Sequence, residues 1–105
     1  MPPLDVSQTF AQARAHHQTG DLRTAETLYR AILIQEPGHS VTLHLLAVLL
    51  AQSGRREAAL ELANQILAYQ PAHVEALNTR GNLLREMGRL EEAVAAYRTA
   101  LGIKP

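Results

Sequence analysis

The side chains of this sequence best suited to chemistry are five histidines: His16, His17, His39, His44 and His73. An imidazole can ligate a metal or move a proton near neutral pH, but only with partners placed around it. His16 and His17 are adjacent and point about 100° apart on a helix, whereas His39 and His73 lie 34 residues apart. Structural or surface roles fit all five better than a metal site, and no metal or cofactor is expected. Paired carboxylates offer no more. Glu91 and Glu92 open a helical pattern, where acidic groups interact favourably with the helix dipole. Arg85, Arg89 and Arg98 are offset by Glu86, Glu91 and Glu92, and Glu26 and Arg30 form an i, i+4 pair on an outward face. The sequence has no glycine-rich phosphate loop, no His-Glu-x-x-His and no Gly-x-Ser-x-Gly. With no cysteine, disulfides, thiol nucleophiles and Cys-ligated zinc are excluded together. Catalysis is not expected.

What remains is the scaffold that would position these groups. The chain has 105 residues, enough for one domain but not for two independent cores. Ten basic and ten acidic residues cancel, which argues against nucleic acid as a partner. Only four residues are aromatic (Phe10, Tyr29, Tyr69 and Tyr97), so the core must be aliphatic and alanine-rich. The start, Met1-Pro2-Pro3-Leu4-Asp5, has neither the basic nor the apolar region of a secretory signal. The most apolar stretch, 43–51, is far shorter than the roughly 20 residues that span a bilayer. A soluble, cytoplasmic protein without a membrane partner is the expectation.

The chain repeats itself every 34 residues. Gly20, Gly54 and Gly88 keep this spacing, as do Ala25, Ala59 and Ala93, and Pro37, Pro71 and Pro105. Leu33, Leu67 and Leu101 align, and Leu43, Leu49 and Leu50 recur as Leu77, Leu83 and Leu84. This frame sets a leader at 1–5 and units at 6–39, 40–73 and 74–105.

Each unit reads as two helices. Leu43, Leu46, Ala47 and Leu50 follow the spacing of one helical face, with Ser40 as N-cap before them and Gly54 as the left-handed residue after them. Ala59, Leu62, Ala63, Ile66 and Leu67 form a second such face, which Pro71 stops. Asp21 suits the N-cap of the first unit's second helix, but Arg55 and Arg89 at the equivalent positions do not. Small residues face each other in each unit: Ala13 with Ala25, Ala47 with Ala59, and Gly81 with Ala93. They let two axes approach as an antiparallel hairpin, and larger residues such as Leu28, Tyr29, Ile32, Leu33 and Tyr97 fill the space between hairpins. The expected fold is an all-α solenoid of three antiparallel hairpins, with helices near 6–19, 22–36, 40–53, 56–70, 74–87 and 90–102. The helix over 40–53, apolar nearly all round, should be the most buried.

The pattern resembles the tetratricopeptide repeat (TPR) family over residues 6–105. The third unit carries it best, with Leu77, Gly81, Leu84, Gly88, Ala93, Tyr97, Ala100 and Pro105. Arg80 stands where the family has leucine, Ala63 replaces its aromatic, and Ile32 and Ile66 replace its alanine. Thr9, Gln12 and His16 replace leucines in the first helix, as suits a terminal helix facing water. With Met1, they point to a genuine N-terminus.

The resemblance implies a concave groove lined by the first helix of each hairpin, through five set positions per repeat. The first unit supplies Ser7, Phe10, Ala11, Arg14 and His17; the second supplies Thr42, His44, Leu45, Val48 and Ala51. Glu75, Asn78, Thr79, Asn82 and Arg85 come from the third. Phe10, His44 and Val48 would make an apolar patch, Asn78 and Asn82 would bond a peptide backbone, and Arg14 and Arg85 would add positive charge. Family members that clamp a C-terminal carboxylate use lysine, asparagine and arginine at positions that here hold Phe10, Arg14, Leu45, Glu75 and Thr79. Only Arg14 suits that task.

The implied function is a non-catalytic interaction module that binds a protein, as a peptide or helix, in this groove. Two alternatives are a recognition domain leading a larger glycosyltransferase- or sulfotransferase-like enzyme, as in similar bacterial arrays, and a self-assembling scaffold. At the C-terminal end, Val94, Tyr97, Leu101 and Ile103 should present an uncovered apolar face. That suggests a chain cut from a longer array that also forms a homodimer through this helix.

Overall fold

A computed structural model describes residues 3–105; Met1 and Pro2, and with them the first part of the 1–5 leader, lie outside the described residues. Six helices follow one another: α1 (Val6–Gln18), α2 (Leu22–Gln35), α3 (Ser40–Gln52), α4 (Arg56–Tyr69), α5 (Val74–Glu86) and α6 (Leu90–Ile103). Each end falls within a residue of its expected place, and no strand occurs among the described residues.

The ends are sharp because the backbone chemistry there is specific. Gly20, Gly54 and Gly88 adopt φ of 88°, 79° and 78°. At each, the amide after the glycine reaches back to the last turn; Arg55 N–H, for example, donates to Leu50 C=O at 2.9 Å. This closes the carbonyls that a helix end would leave unpaired.

The N-caps differ from expectation at one point. Ser40 is not the cap of α3 but its first residue. His39 takes the cap position with an extended backbone, and its Nδ1 accepts from the Thr42 N–H at 3.4 Å and pairs with the Thr42 hydroxyl at 2.7 Å. His73 repeats this on α5, accepting from the Ala76 N–H at 3.1 Å. Asp5 does the same on α1, accepting from the Gln8 N–H. Thus residues 3–5 do for α1 what 37–39 do for α3. They are also strapped to α2: Leu4 N–H donates to Gln35 Oε1, and Gln35 Nε2 donates to the Leu4 carbonyl. Asp21 caps α2 as expected, and the bonds from Thr24 hold its carboxyl below the usual carboxylate range. Arg55 and Arg89 provide no side-chain cap. Their guanidiniums go to Glu26 and Glu92 instead.

Successive helices pack as three antiparallel hairpins, α1–α2, α3–α4 and α5–α6, stacked in order into a body 46 × 25 × 21 Å. The small-residue pairs sit where the hairpins pinch: Ala13, Ala25, Ala47, Ala59, Gly81 and Ala93 are all buried. The central helix α3 contributes Thr42, Leu43, Leu46, Ala47, Leu49 and Leu50 to the core, more than any other helix.

Ion pairs tie adjacent hairpins together. Glu26 on α2 binds Arg30 at 2.8 Å and also Arg55 of the next unit; the Arg55 bond holds its carboxyl below the usual range. It is therefore not simply half of an outward i, i+4 pair. Arg56 on α4 meets Glu86 on α5 at 2.9 Å.

Two sequence readings of burial are corrected. Thr9 was expected to face water with Gln12 and His16, but it is 7% exposed. Its repeat equivalents Leu43 and Leu77 are buried too, so this position faces the interior of its own hairpin whether or not another unit precedes it. Tyr97 was expected on the open C-terminal face and instead folds back into its own hairpin. Its ring covers Gly81, where a Cβ would lie 2.7 Å from Tyr97 Cε1, and its hydroxyl donates to Asn82 Oδ1 at 2.5 Å. Val94, Leu101 and Ile103 are exposed as expected. Arg80, in the leucine position, is half-buried with its Nε sealed from solvent and unbonded among the described residues.

Candidate functional site: the concave groove

Helices α1, α3 and α5 place their groove positions side by side, and the lining is more interconnected than the sequence suggested. Phe10 is half-buried, its ring 6.5 Å from that of Tyr29 and 5.9 Å from that of His39. It therefore helps hold the first hairpin as well as lining it. His17 joins three helices. Its Nε2 bonds Gln52 Oε1 on α3 at 2.8 Å, and its Nδ1 meets the Tyr29 hydroxyl on α2 at 2.9 Å. With Oε1 as acceptor, Nε2 carries the proton and Nδ1 accepts from the phenol. Burial pushes the Tyr29 hydroxyl above its ordinary pKa, against the opposing influence of Arg14.

His44 bridges α3 to α5, with Nε2 and Thr79 Oγ1 3.0 Å apart. Burial, and next the His73 ring 5.9 Å away, push its pKa below the usual imidazole range, while Glu75 opposes them. Among the described residues, no set of three or more His, Cys, Asp or Glu is placed to hold a metal.

Two depressions run along the inner surface. One, of about 330 Å³, is lined by Arg14, His17, Gln18, Tyr29, Leu45 and Gln52. The other, of about 250 Å³, is lined by Val48, Ala51, Gln52, Thr79, Asn82, Leu83 and Glu86. Gln52 belongs to both and makes them neighbours. Sequence reasoning missed it, although Gln18, Gln52 and Glu86 hold one repeat position and all line these depressions; it also missed the Tyr29 hydroxyl, which reaches the first depression from α2. Arg14 and Arg85 are exposed and without an ion pair, and Asn78 is exposed with its amide unbonded, among the described residues. Asn82 lines the second depression, but its Oδ1 is taken by Tyr97.

One groove assignment is wrong. Thr42 is 0% exposed, with its hydroxyl on His39. Val41, which is 52% exposed, holds the repeat position of Ser7 and Glu75. A larger cleft of about 460 Å³ lies between the 36–39 connection and the end of α4, floored by Leu43 and Ile66 and walled by Tyr69. Among the described residues, no charged side chain lines it.

Known proteins agree with this architecture. The crystal structure of MamA superposes with a TM-score of 0.91 at 14% identity, over 98% of this chain and 60% of MamA. This chain thus spans less than two thirds of that protein. The first TPR of Spaghetti (RPAP3), bound to HSP90 peptide SRMEEVD, superposes at 0.91 with 18% identity, over 100% of this chain and 83% of that one. The second TPR of Spaghetti, bound to the same peptide, gives 0.89 at 16% identity, over 97% and 94%. No curated protein matches the sequence. Tetratricopeptide repeat profiles match residues 7–31 and 44–105. The 34-residue register, the paired small residues and the stacked hairpins thus meet in one assignment: the chain belongs to the tetratricopeptide repeat family.

Proposed function

We propose that this chain is a non-catalytic interaction module that holds an extended peptide segment of a partner protein in its concave groove. The observation that carries the reading is the pair of adjoining depressions that share Gln52. Arg14 lines the first of them, and Asn78 and Arg85 are exposed one turn to either side of Asn82, which lines the second; none of these three side chains has a hydrogen-bond or ion-pair partner among the described residues. An amide can donate to and accept from one peptide unit at once, which suits an extended backbone of any sequence. The peptide complexes formed by the Spaghetti repeats support the same use of the fold. Clamping of a C-terminal carboxylate is not the favoured mode, because Glu75 stands at one clamp position and Phe10, Leu45 and Thr79 stand at others.

The test starts with peptides selected from a random displayed library against the chain. Amide shifts on titrating a selected peptide should concentrate on α1, α3 and α5, and Asn78→Ala should weaken its binding with the helical signal unchanged. Shifts confined to α2, α4 and α6, or full affinity in the variant, would overturn the groove as the site.

A further inference from the structure

The cleft between the α2–α3 connection and the end of α4 shares no residue with the proposed groove. Its volume of about 460 Å³ falls within the roughly 300–1,000 Å³ of ligand sites. Its openness does not depend on where the sequence ends, because α5 already packs on α4 beside it.

The 34-residue register identifies what leaves it open. At the repeat position of Gly38 the flanking units carry Leu4 and Ala72, and at that of Ser40 they carry Val6 and Val74, both half-buried. The middle unit has neither apolar side chain, yet below the gap Leu43 and Ile66 keep an aliphatic floor. Ser40, Gln65, Tyr69 and Gln70 form an uncharged rim, and none of these four side chains has a hydrogen-bond partner among the described residues. A charged group entering here would lose water with no opposite charge in return.

The first unit shows how backbone at this place is held. The Gln35 carboxamide accepts from the Leu4 N–H at 2.8 Å and donates to the Leu4 carbonyl at 3.0 Å. In the second unit Tyr69 stands in the place of Gln35 and is 86% exposed. The Gly38 N–H and carbonyl make no bond among the described residues. An amide supplied from outside can close both of those bonds at once.

We propose that this cleft is a second docking site, which takes a leucine-class side chain carried on an uncharged segment of a partner protein. The side chain lies on Leu43 and Ile66, where the flanking units place their own aliphatic groups. An amide of the same segment bonds Gly38 as the Gln35 amide bonds Leu4, and the Tyr69 ring walls the side chain in.

NMR of the isotope-labelled chain, titrated with the capped peptide acetyl-Ser-Gly-Leu-Gly-Ser-amide, provides the test. Shifts should concentrate on the Gly38 amide and on the Leu43 and Ile66 methyls. Alanine in place of the leucine should weaken binding by about tenfold or more, through lost apolar burial, and a central glutamate should weaken it as far. The double variant Gly38→Leu with Ser40→Val copies the flanking units and should fill the cleft. Gly38 has no positive φ and an added Cβ meets nothing within 4 Å, so this variant should keep the helical signal and lose the peptide. Tyr69→Ala removes only an exposed wall and should weaken binding severalfold. No methyl shift at millimolar peptide would overturn the proposal, as would equal affinity for the leucine and alanine peptides. So would a filled variant that binds like the parent, or contacts in the free chain between these methyls and one of its own segments. Asn78→Ala should leave this binding unchanged, and failure here leaves the groove reading standing.

Discussion

Replacing Arg80 by leucine should make this protein more stable. Arg80 occupies the repeat position that Leu46 fills in the central unit, where the leucine is fully buried. Its Nε lies sealed from solvent with no hydrogen bond among the described residues. Leaving one such donor unsatisfied costs about 1–3 kcal/mol. The aliphatic stem of arginine already packs, so the gain comes mainly from relieving that donor. We expect Arg80→Leu to add about 1–3 kcal/mol, which for a domain of this size raises Tm by roughly 4 °C or more. Urea unfolding followed by the helical circular dichroism signal would measure it, with an unchanged m-value showing that only stability has moved. Arg80→Met keeps the unbranched stem and removes the donor, so it should recover most of the gain. If both variants were less stable than the parent, the guanidinium would have to be engaged in a favourable bond, and the argument from the orphaned Nε would fail.

Two further outcomes follow from the turns and the histidines. Gly54→Val should cost about 1–2 kcal/mol, because a β-branched residue resists the left-handed conformation that ends α3. Gly38, whose φ is not positive and whose surroundings are open, should accept valine with little loss, and equal effects at the two sites would refute the turn argument. Burial of His44 depresses its folded pKa, so the unfolded chain binds more protons. Stability should therefore be complete above the ordinary imidazole range, near ~6.5, and fall as the pH drops through it toward the folded value. Urea midpoints taken across that range should show the decline, and His44→Gln should flatten it. An identical slope in the variant would place the titration elsewhere.

The helices were legible in the sequence because glycine and proline punctuate it at fixed spacing, and their chemistry fixes chain direction without reference to neighbours. Side-chain direction was not legible in the same way. Ser40 looked like a cap by residue type, yet the cap register runs Asp5, His39, His73, so an imidazole nitrogen does the work usually given to serine. Thr42 lies one position away from Val41, the repeat equivalent of Ser7 and Glu75, and a one-residue shift turns a side chain by about 100° on a helix. Tyr97 was assigned to the open face because its neighbours Val94 and Leu101 are there. Glycine at 81 leaves room for the ring to fold the other way, and that depends on the distance between two helices.

The proposed groove is marked in the sequence by the failure of the repeat. Buried positions solve the same packing problem in every unit, so Ala25, Ala59 and Ala93 are alike. The proposed lining positions are half-buried or exposed and are freer to differ. Phe10, His44 and Asn78 occupy one such position; Arg14, Val48 and Asn82 occupy the next, and His17, Ala51 and Arg85 the third. No type recurs at any of the three. The order along the stack also has a direction. The α1 end is aromatic, with Phe10 and His17 packed on Tyr29, and the α5 end carries amides. An extended peptide following the proposed groove would meet a ring surface at one end and backbone-bonding groups at the other. In that proposed mode, the chemical difference between the two ends would set the direction in which the peptide lies.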